Sequence, residues 1–389
     1  MLSRLILSGA VLVAAGAAAA QTPVFRDVTD TNLPAGVLNG ASMDARAFDA
    51  DGDGDLDILV ACEFCPNILL INDGNGVFTD ESAARIPRTR HDSENIGVSD
   101  FDGDGDLDVF IASEDDAIHD FWLNDGTGHF ADAGDRIPVR SVTNGVVVAD
   151  IDGDGWDDLV LAVNGQDHIL INDGVGGFRD ETAARLPAFA DITQGIALGD
   201  IDGDGDPDMI FSNEGLDRIL LNDGSGVFSG DAVLPAPAPD ETREIDLADI
   251  DGDGDLDAFA ANVRTFMDAD PQNRIYVNQG DGTFTEETAA RLPPDRENNF
   301  YGAFVDIDGD GDPDIVTAHT DNLGGPGSGR VRIYINDGTG VFTDETARFL
   351  PDTARGNGFD LEFADFDGDG DDDLYLANRH GADRLFLRE

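Results

Sequence analysis

Short apolar runs recur along the chain at a near-constant interval, each bounded by glycine-rich and acidic turns. Runs such as "GVVVAD" at 145–150 and "GIALGD" at 195–200 lead into an acidic stretch, and "ILVAC", "VFIAS", "LVLAV" or "LYLAN" follows it. These runs are rich in β-formers and too short for anything but strands. After a variable loop comes a third run, "NILLIN", "HILIN", "RILLN" or "RIYVN". An Asn-Asp-Gly or Asn-Gln-Gly turn then begins at Asn72, Asn124, Asn172, Asn222, Asn278 and Asn336. Asn and Gly tolerate positive φ, so each turn predicts a tight hairpin. A fourth strand starts at Phe78, Phe130, Phe178, Phe228, Phe284 or Phe342.

The acidic stretches set the period. A nine-residue motif begins at Asp49, Asp100, Asp150, Asp200, Asp249, Asp306 and Asp365, in steps of 51, 50, 50, 49, 57 and 59 residues. Strand-rich units with a period near fifty predict a β-propeller rather than a row of domains. The fold class expected is therefore all-β: a seven-bladed propeller of four-stranded antiparallel blades over residues 21–389. The seventh unit stops at Arg384–Glu389 without its fourth strand, and "PVFRDVTDTNLP" at 23–34 resembles "GVFTDETARFLP" at 340–351. The N-terminal strand should complete the last blade, close the ring and remove its open edges.

Within the motif, positions 1, 3, 5 and 9 are Asp in all seven copies. They are Asp49, Asp51, Asp53 and Asp57; Asp100, Asp102, Asp104 and Asp108; Asp150, Asp152, Asp154 and Asp158; and Asp200, Asp202, Asp204 and Asp208. The last three copies supply Asp249, Asp251, Asp253 and Asp257; Asp306, Asp308, Asp310 and Asp314; and Asp365, Asp367, Asp369 and Asp373. Position 7 varies: Asp55, Asp106, Trp156, Asp206, Asp255, Asp312 and Asp371. A ligand supplied by the main-chain carbonyl explains that tolerance. Glycines at positions 4 and 6 let the chain wrap one centre. Hard oxygens converging in a flexible loop suit Ca²⁺, which takes about six to eight, better than Mg²⁺ with its strict octahedron. Up to seven Ca²⁺ ions are expected. An EF-hand is excluded, because its position 12 is Glu and here that place holds Val60 or Ile111 inside a strand. Tandem nonapeptide β-helix repeats recur far more often.

A "DxDGDGxxD" loop between two strands, in a Phe- and Gly-rich repeat near fifty residues, resembles the FG-GAP/VCBS repeats. That family forms the calcium-binding β-propeller of integrin α subunits and of many secreted bacterial proteins. The resemblance spans nearly the whole chain after residue 20. It implies calcium in the loop joining the first two strands of each blade, and it implies no particular ligand. Integrins carry fewer such loops than the seven found here.

Residues 1–20 read as a cleaved secretory signal peptide, with Arg4, the apolar "LILSGAVLVAAG" and a small-residue "AAAAQ" site. No other segment is long and apolar enough for a membrane span, so a secreted or periplasmic protein, monomeric, is expected. The chain carries 81 acidic residues against 23 basic ones, all Arg, for a net charge of −58. Such a surface repels nucleic acid and anionic membrane, which excludes both as partners. Seven calcium ions would offset only fourteen of those charges, so metal does not explain the acidity. Cys62 and Cys65 in "CEFC" read as a local disulfide ahead of a zinc or redox site, since no second CxxC exists.

Antiparallel connectivity places the acidic loops and the Asn-Asp-Gly hairpins at one end of the blades. Loops between second and third strands lie at the other end, with most of the histidines. There Asn213, Asn262, His319 and Asn378 occupy one equivalent position. The longest loops, 263–273 and 319–329, and the nearby "NNFY" add Phe266, Phe300 and Tyr301, which either face a ligand or cover blade edges. The candidate ligand face is therefore His319, Asn262, Asn378, Phe266, Phe300 and Tyr301. Two function classes remain. One is a non-catalytic binding or adhesion module for a glycan or an extracellular protein. The other is a calcium-dependent polysaccharide lyase or hydrolase. Acid, Arg and His residues scattered over several blades with no nucleophile motif favour binding. Three residues before the motif stand Arg46 and Glu362, in blades that meet only if the ring closes. They are expected to pair across the seam.

Overall fold

In the computed structural model, residues 24–36, 38–321 and 329–389 are described. The expected signal peptide and residues 322–328 of the 319–329 loop lie outside them. The first complete unit comprises strands Asn39–Phe48, Asp57–Cys62, Ile68–Asn72 and Phe78–Asp80, paired antiparallel in order. The same unit recurs, and every second strand begins on motif position 9, from Asp57 to Asp373. First strands touch the first strands of the next units in an unbroken cycle that returns from Gly358–Ala364 to Asn39–Phe48. The molecule is a β-propeller, as the repeat predicts.

Closure follows the expected route. Phe25–Asp27 pairs antiparallel with Arg384–Arg388, in the register Phe25↔Arg388, Arg26↔Leu387 and Asp27↔Phe386. Phe25 is 1% exposed and packs with Phe349, Leu361 and Phe386, which anchors the strand.

The continuous apolar second strands have a simple origin: both of their faces are buried. Ile58 and Val60 pack towards Tyr375 and Leu385 of the last unit, while Leu59 and Ala61 pack towards Val109, Ile111 and Trp122 of the next. Alternating side chains thus serve two neighbours, and among the described residues the core is a set of seven such clusters between blades. Each fully buried large apolar side chain contributes about 1.5–3 kcal/mol.

Two features escape the repeat reading. One-turn helices follow most fourth strands, as at Ser82–Arg85, Thr182–Arg185 and Thr288–Arg291, whereas the fourth unit instead extends its last strand over Phe228–Val233. Each first strand also breaks register near its start, for example between Ser42 and Asp44, Thr242 and Glu244, and Gly358 and Asp360. Such a bulge re-aims the side chains beside it.

Candidate functional site

The acidic loop is built largely by its own carboxylates. At position 1, Asp49 accepts the Gly52 N–H on Oδ1 at 2.8 Å and the Gly54 N–H on Oδ2 at 3.1 Å. Gly52 and Gly54 sit at φ 78° and 95°, where a side chain is strained, so both positions require glycine. Position 5, Asp53, accepts the Asp55 N–H at 3.0 Å. Position 9 is a double clamp: Asp57 takes the Ala50 N–H at 3.1 Å and the Asn72 N–H at 2.8 Å. Invariance at position 9 therefore has a backbone cause beside any role as a ligand.

Position 3 differs. Asp51, Asp102, Asp152, Asp251, Asp308 and Asp367 each hold a buried Oδ1 with no hydrogen-bond partner among the described residues. Carboxylate oxygens of Asp49, Asp51 and Asp53, of Asp100, Asp102 and Asp108, and of Asp150, Asp152 and Asp158 lie within 4.8 Å of one another. A buried oxygen without a donor amid other carboxylates is expensive unless a cation supplies the missing charge. The loops fit a hard divalent ion. Burial first, then the acids at positions 3 and 5, pushes the position 9 carboxyls of Asp57, Asp108, Asp158 and Asp373 up to about 7. Trp156, at position 7, lies between Gly103 of the preceding loop and Gly174 of its own hairpin, where an added Cβ would collide with the indole ring.

These loops also join the blades. Asn124 donates from Nδ2 to the Ala50 carbonyl at 2.9 Å, Asn172 to Phe101 at 3.0 Å, and Asn72 to Phe366 across the seam at 2.8 Å. Asn278 and Asn336 repeat the hook, to the Ile201 and Ile250 carbonyls, so these hairpins hold the preceding blade's acidic loop, whereas Asn222 Nδ2 donates to the Pro207 carbonyl of its own loop. Arg85 bridges the other way, 3.2 Å from Asp51 Oδ2 and 2.7 Å from the Thr127 carbonyl in the next hairpin. Arg185 and Arg291 repeat the bridge. Collapse of a loop would loosen two blade contacts at once.

A cavity of about 430 Å³ occupies the ring's centre. It is lined by one register position from every blade, six residues before the motif: Met43, Glu94, Asn144, Gln194, Arg243, Phe300 and Phe359. The next position, which holds Asp44, Glu244, Tyr301 and Asp360 in four of the blades, lines it too. The bulge makes this possible, since two successive strand residues otherwise point to opposite faces. Arg243 lies over Phe266 at 5.3 Å and over Phe300 at 5.1 Å, and Phe300 stacks on Phe359 at 4.5 Å. Phe266 is 72% exposed. Burial, then Asp246, pushes the Glu244 carboxyl up to about 8, and burial with Glu114 and Asp92 holds Glu94 well above the carboxylate range. Arg46 Nη1 lies 3.8 Å from Glu362 Oε2, so the seam pair forms as expected.

Three of the six expected face residues, Phe266, Phe300 and Tyr301, line this cavity. Asn262, Asn378 and His319 do not. Asn262 Nδ2 donates to the Gln272 carbonyl and Asn378 Nδ2 to the Ala382 carbonyl, both at 2.9 Å, and His319 Nδ1 contacts the Asn298 carbonyl at 3.1 Å. Turning loops leave carbonyls in need of donors, and these side chains supply them. His119 is likewise structural: it is buried, accepts the Ser113 N–H, and burial lowers it to about 4. Arg243, Arg379, Glu94 and Glu244 were missed. Cys62 and Cys65 are free thiols, the first buried, rather than the expected disulfide. The thiol contact with Cys65, and then burial, push the Cys62 thiol well above its ordinary value.

A model of the FG-GAP-like repeat matches residues 49–111, 100–161, 150–211, 200–260, 263–317 and 319–376. Among solved structures, the chain is similar to a lectin of Agrocybe aegerita solved for its specific recognition of non-reducing terminal N-acetylglucosamine. The identity is 19%, the TM-score 0.53, and the match covers 88% of this chain and 87% of that one. It is also similar to BBS1N in complex with ARL6DN in a lead-soaked crystal, at 12% identity and TM-score 0.58, covering 94% and 97%. At these identities the likeness concerns the fold alone. No curated protein matches.

Proposed function

This chain belongs to the FG-GAP-like repeat family, and from that premise we propose that it is an exported, calcium-braced β-propeller that binds a glycan or an extracellular protein at its channel mouth. Calcium's part is structural. Bound in a loop, the ion would neutralise the carboxylates at positions 1, 3, 5 and 9 and fix the segment that Asn hooks and Arg bridges join to the neighbouring blades. The six orphaned position 3 oxygens support that role.

One observation carries the binding reading: Arg243 is held between the Phe266 and Phe300 rings at the mouth of a cavity lined from all seven blades. An exposed aromatic face suits the apolar side of a sugar ring or a partner's side chain. Guanidinium and carboxylate groups beside it suit hydroxyls. The lectin of the same fold recognises a terminal sugar, which is consistent with this use of the scaffold. The reading takes the protein to be a monomer with no nucleic-acid or membrane partner.

A second reading, a polysaccharide lyase or hydrolase, draws on one finding. The ring gathers acids that the sequence scatters, so Glu244, with its raised carboxyl, faces the same cavity as Arg46 and Tyr301. Burial and the nearby Asp360 and Glu362 hold the Tyr301 phenol protonated, which disfavours it as a base. Binding is therefore placed first. Glycan-array binding and polysaccharide turnover, measured side by side with calcium present, test both. Binding lost in Arg243→Ala and Phe266→Ala without turnover in the parent supports the binding module. Turnover abolished by Glu244→Gln would replace it with the enzyme.

A further inference from the structure

Eight residues before the motif, the blades differ sharply. The position holds Ala41, Val142 and Ile192 in three blades, Asp92 in the second and Glu241 in the fifth. The two acids are equivalent in the fold: the Asp92 carbonyl accepts the Glu114 N–H, and the Glu241 carbonyl accepts the Val263 N–H, each at 3.0 Å. Their surroundings are not equivalent.

Glu241 is fully buried and fully supplied. Its carboxylate accepts the N–H groups of Thr265, Phe266 and Met267 at 2.8–2.9 Å, and Arg243 donates to it at 2.9 Å. Asp92 is 2% exposed and has one donor, the Asp115 N–H, which reaches Oδ2 at 3.1 Å. Its Oδ1 is buried with no hydrogen-bond partner among the described residues. In place of donors it meets further acid: carboxylate oxygens of Asp92, Glu114 and Asp115 lie within 4.8 Å of one another. Nearby cations are already engaged, Arg379 with Glu63 and His91 with Asp116. The fifth blade shows what a buried carboxylate at this place takes up, a cradle of donors and a positive charge. The second blade lacks that cradle.

We infer that Asp92, Glu114 and Asp115 form a further divalent-cation site, separate from the seven acidic loops and on the opposite end of the blade. The ion class is a hard cation, with Ca²⁺ the candidate, because all three donors are carboxylates. Asp92 is held in place before any ion arrives, since its carbonyl also accepts the Ser113 hydroxyl at 3.1 Å. Glu114 lines the central cavity and Asp115 is exposed, so one side of the site opens on the channel mouth. Three carboxylates leave coordination positions free on that side. A hydroxyl or carboxylate oxygen of a channel ligand would occupy them, which makes the site a bridge between metal and ligand. The cation site itself does not depend on the binding reading above.

Native mass spectrometry of the full-length mature protein across a Ca²⁺ titration tests it, with circular dichroism as the folding control. Asp92→Asn should bind one ion fewer than the parent, or bind one ion at least tenfold more weakly. The double substitution Glu114→Gln with Asp115→Asn, which leaves the buried Asp92 in place, should do the same. A parental ion count and affinity in both overturns the site. If Asp92→Asn fails to fold, the double variant alone decides. A binding assay on that variant then separates the two claims: loss of one ion with ligand binding intact leaves the cation site standing and removes the bridge.

Discussion

Replacing Glu362 separates two forces that meet at the ring's seam. Glu362 Oε1 accepts the Ala47 N–H from the first blade at 2.8 Å, while Oε2 stands 3.8 Å from Arg46 Nη1. The Glu362 side chain is 15% exposed and that of Arg46 40%. Glu362→Ala leaves a partly buried N–H without an acceptor, which costs up to about 1–3 kcal/mol. The ion pair, half in solvent and at long range, adds at most about 1 kcal/mol after screening. Glu362→Gln keeps an acceptor oxygen and removes the charge, so it should cost under about 1 kcal/mol. Burial pushes the Glu362 carboxyl up to about 7, so the comparison belongs at pH 8, where the parent is ionised. Thermal unfolding with calcium present should show Glu362→Ala lower by roughly 2–6 °C, at roughly 2 °C per kcal/mol for a large domain. A cycle with Arg46→Ala should give a coupling energy below about 1 kcal/mol. If Glu362→Gln is as damaging as Glu362→Ala, charge and not the main-chain bond holds the seam, and the reasoning fails.

Phe25→Ala should cost about 3–5 kcal/mol, because it empties a 1%-exposed ring position in the closing strand; unchanged melting would mean that the strand does not close the ring. Asp53→Ala should remove one calcium ion and leave the others, counted by native mass spectrometry, whereas loss of several ions would show that the loops do not bind independently. Chelated protein should have an inverted pH response. Its position 9 carboxyls sit near 7 when folded against 3.8 as the ordinary value, so the folded state holds more protons between these limits, and stability falls as pH rises through 7. Glu297, held at about 2 mainly by its Arg332 bond against burial, acts in the opposite direction but only below about pH 4.5. Chelated protein should thus melt higher at pH 5 than at pH 8, and calcium-loaded protein lower, because protons compete for the same oxygens; chelated protein that weakens on acidification in that range would refute the linkage.

Features that repeat unchanged were legible in the sequence. The four-strand unit, the acidic loop and the borrowed N-terminal strand each recur with one register, and one register means one place in the fold. Arg46 and Glu362 could be matched for the same reason. Position 9 shows where this logic runs short: a metal ligand and a clamp on two N–H groups both demand Asp, so invariance alone cannot separate them. The channel shows the converse. Met43, Glu94, Gln194 and Arg243 occupy one register position with different chemistry in each blade, so a search for sameness passes over them. A bulge then turns two neighbouring residues to one side, against the strand's period of two. Asn262 and Asn378 misled because a polar side chain at a strand end looks alike whether it faces a ligand or clamps a loop.

The central claim is that the acidic loops hold calcium and that calcium braces the ring. Its most direct test is the ion count of chelator-stripped protein titrated to saturation with Ca²⁺, read by native mass spectrometry. The loops should take up seven ions, with the second-blade site raising the total to eight. A plateau at one or two ions would contradict the account.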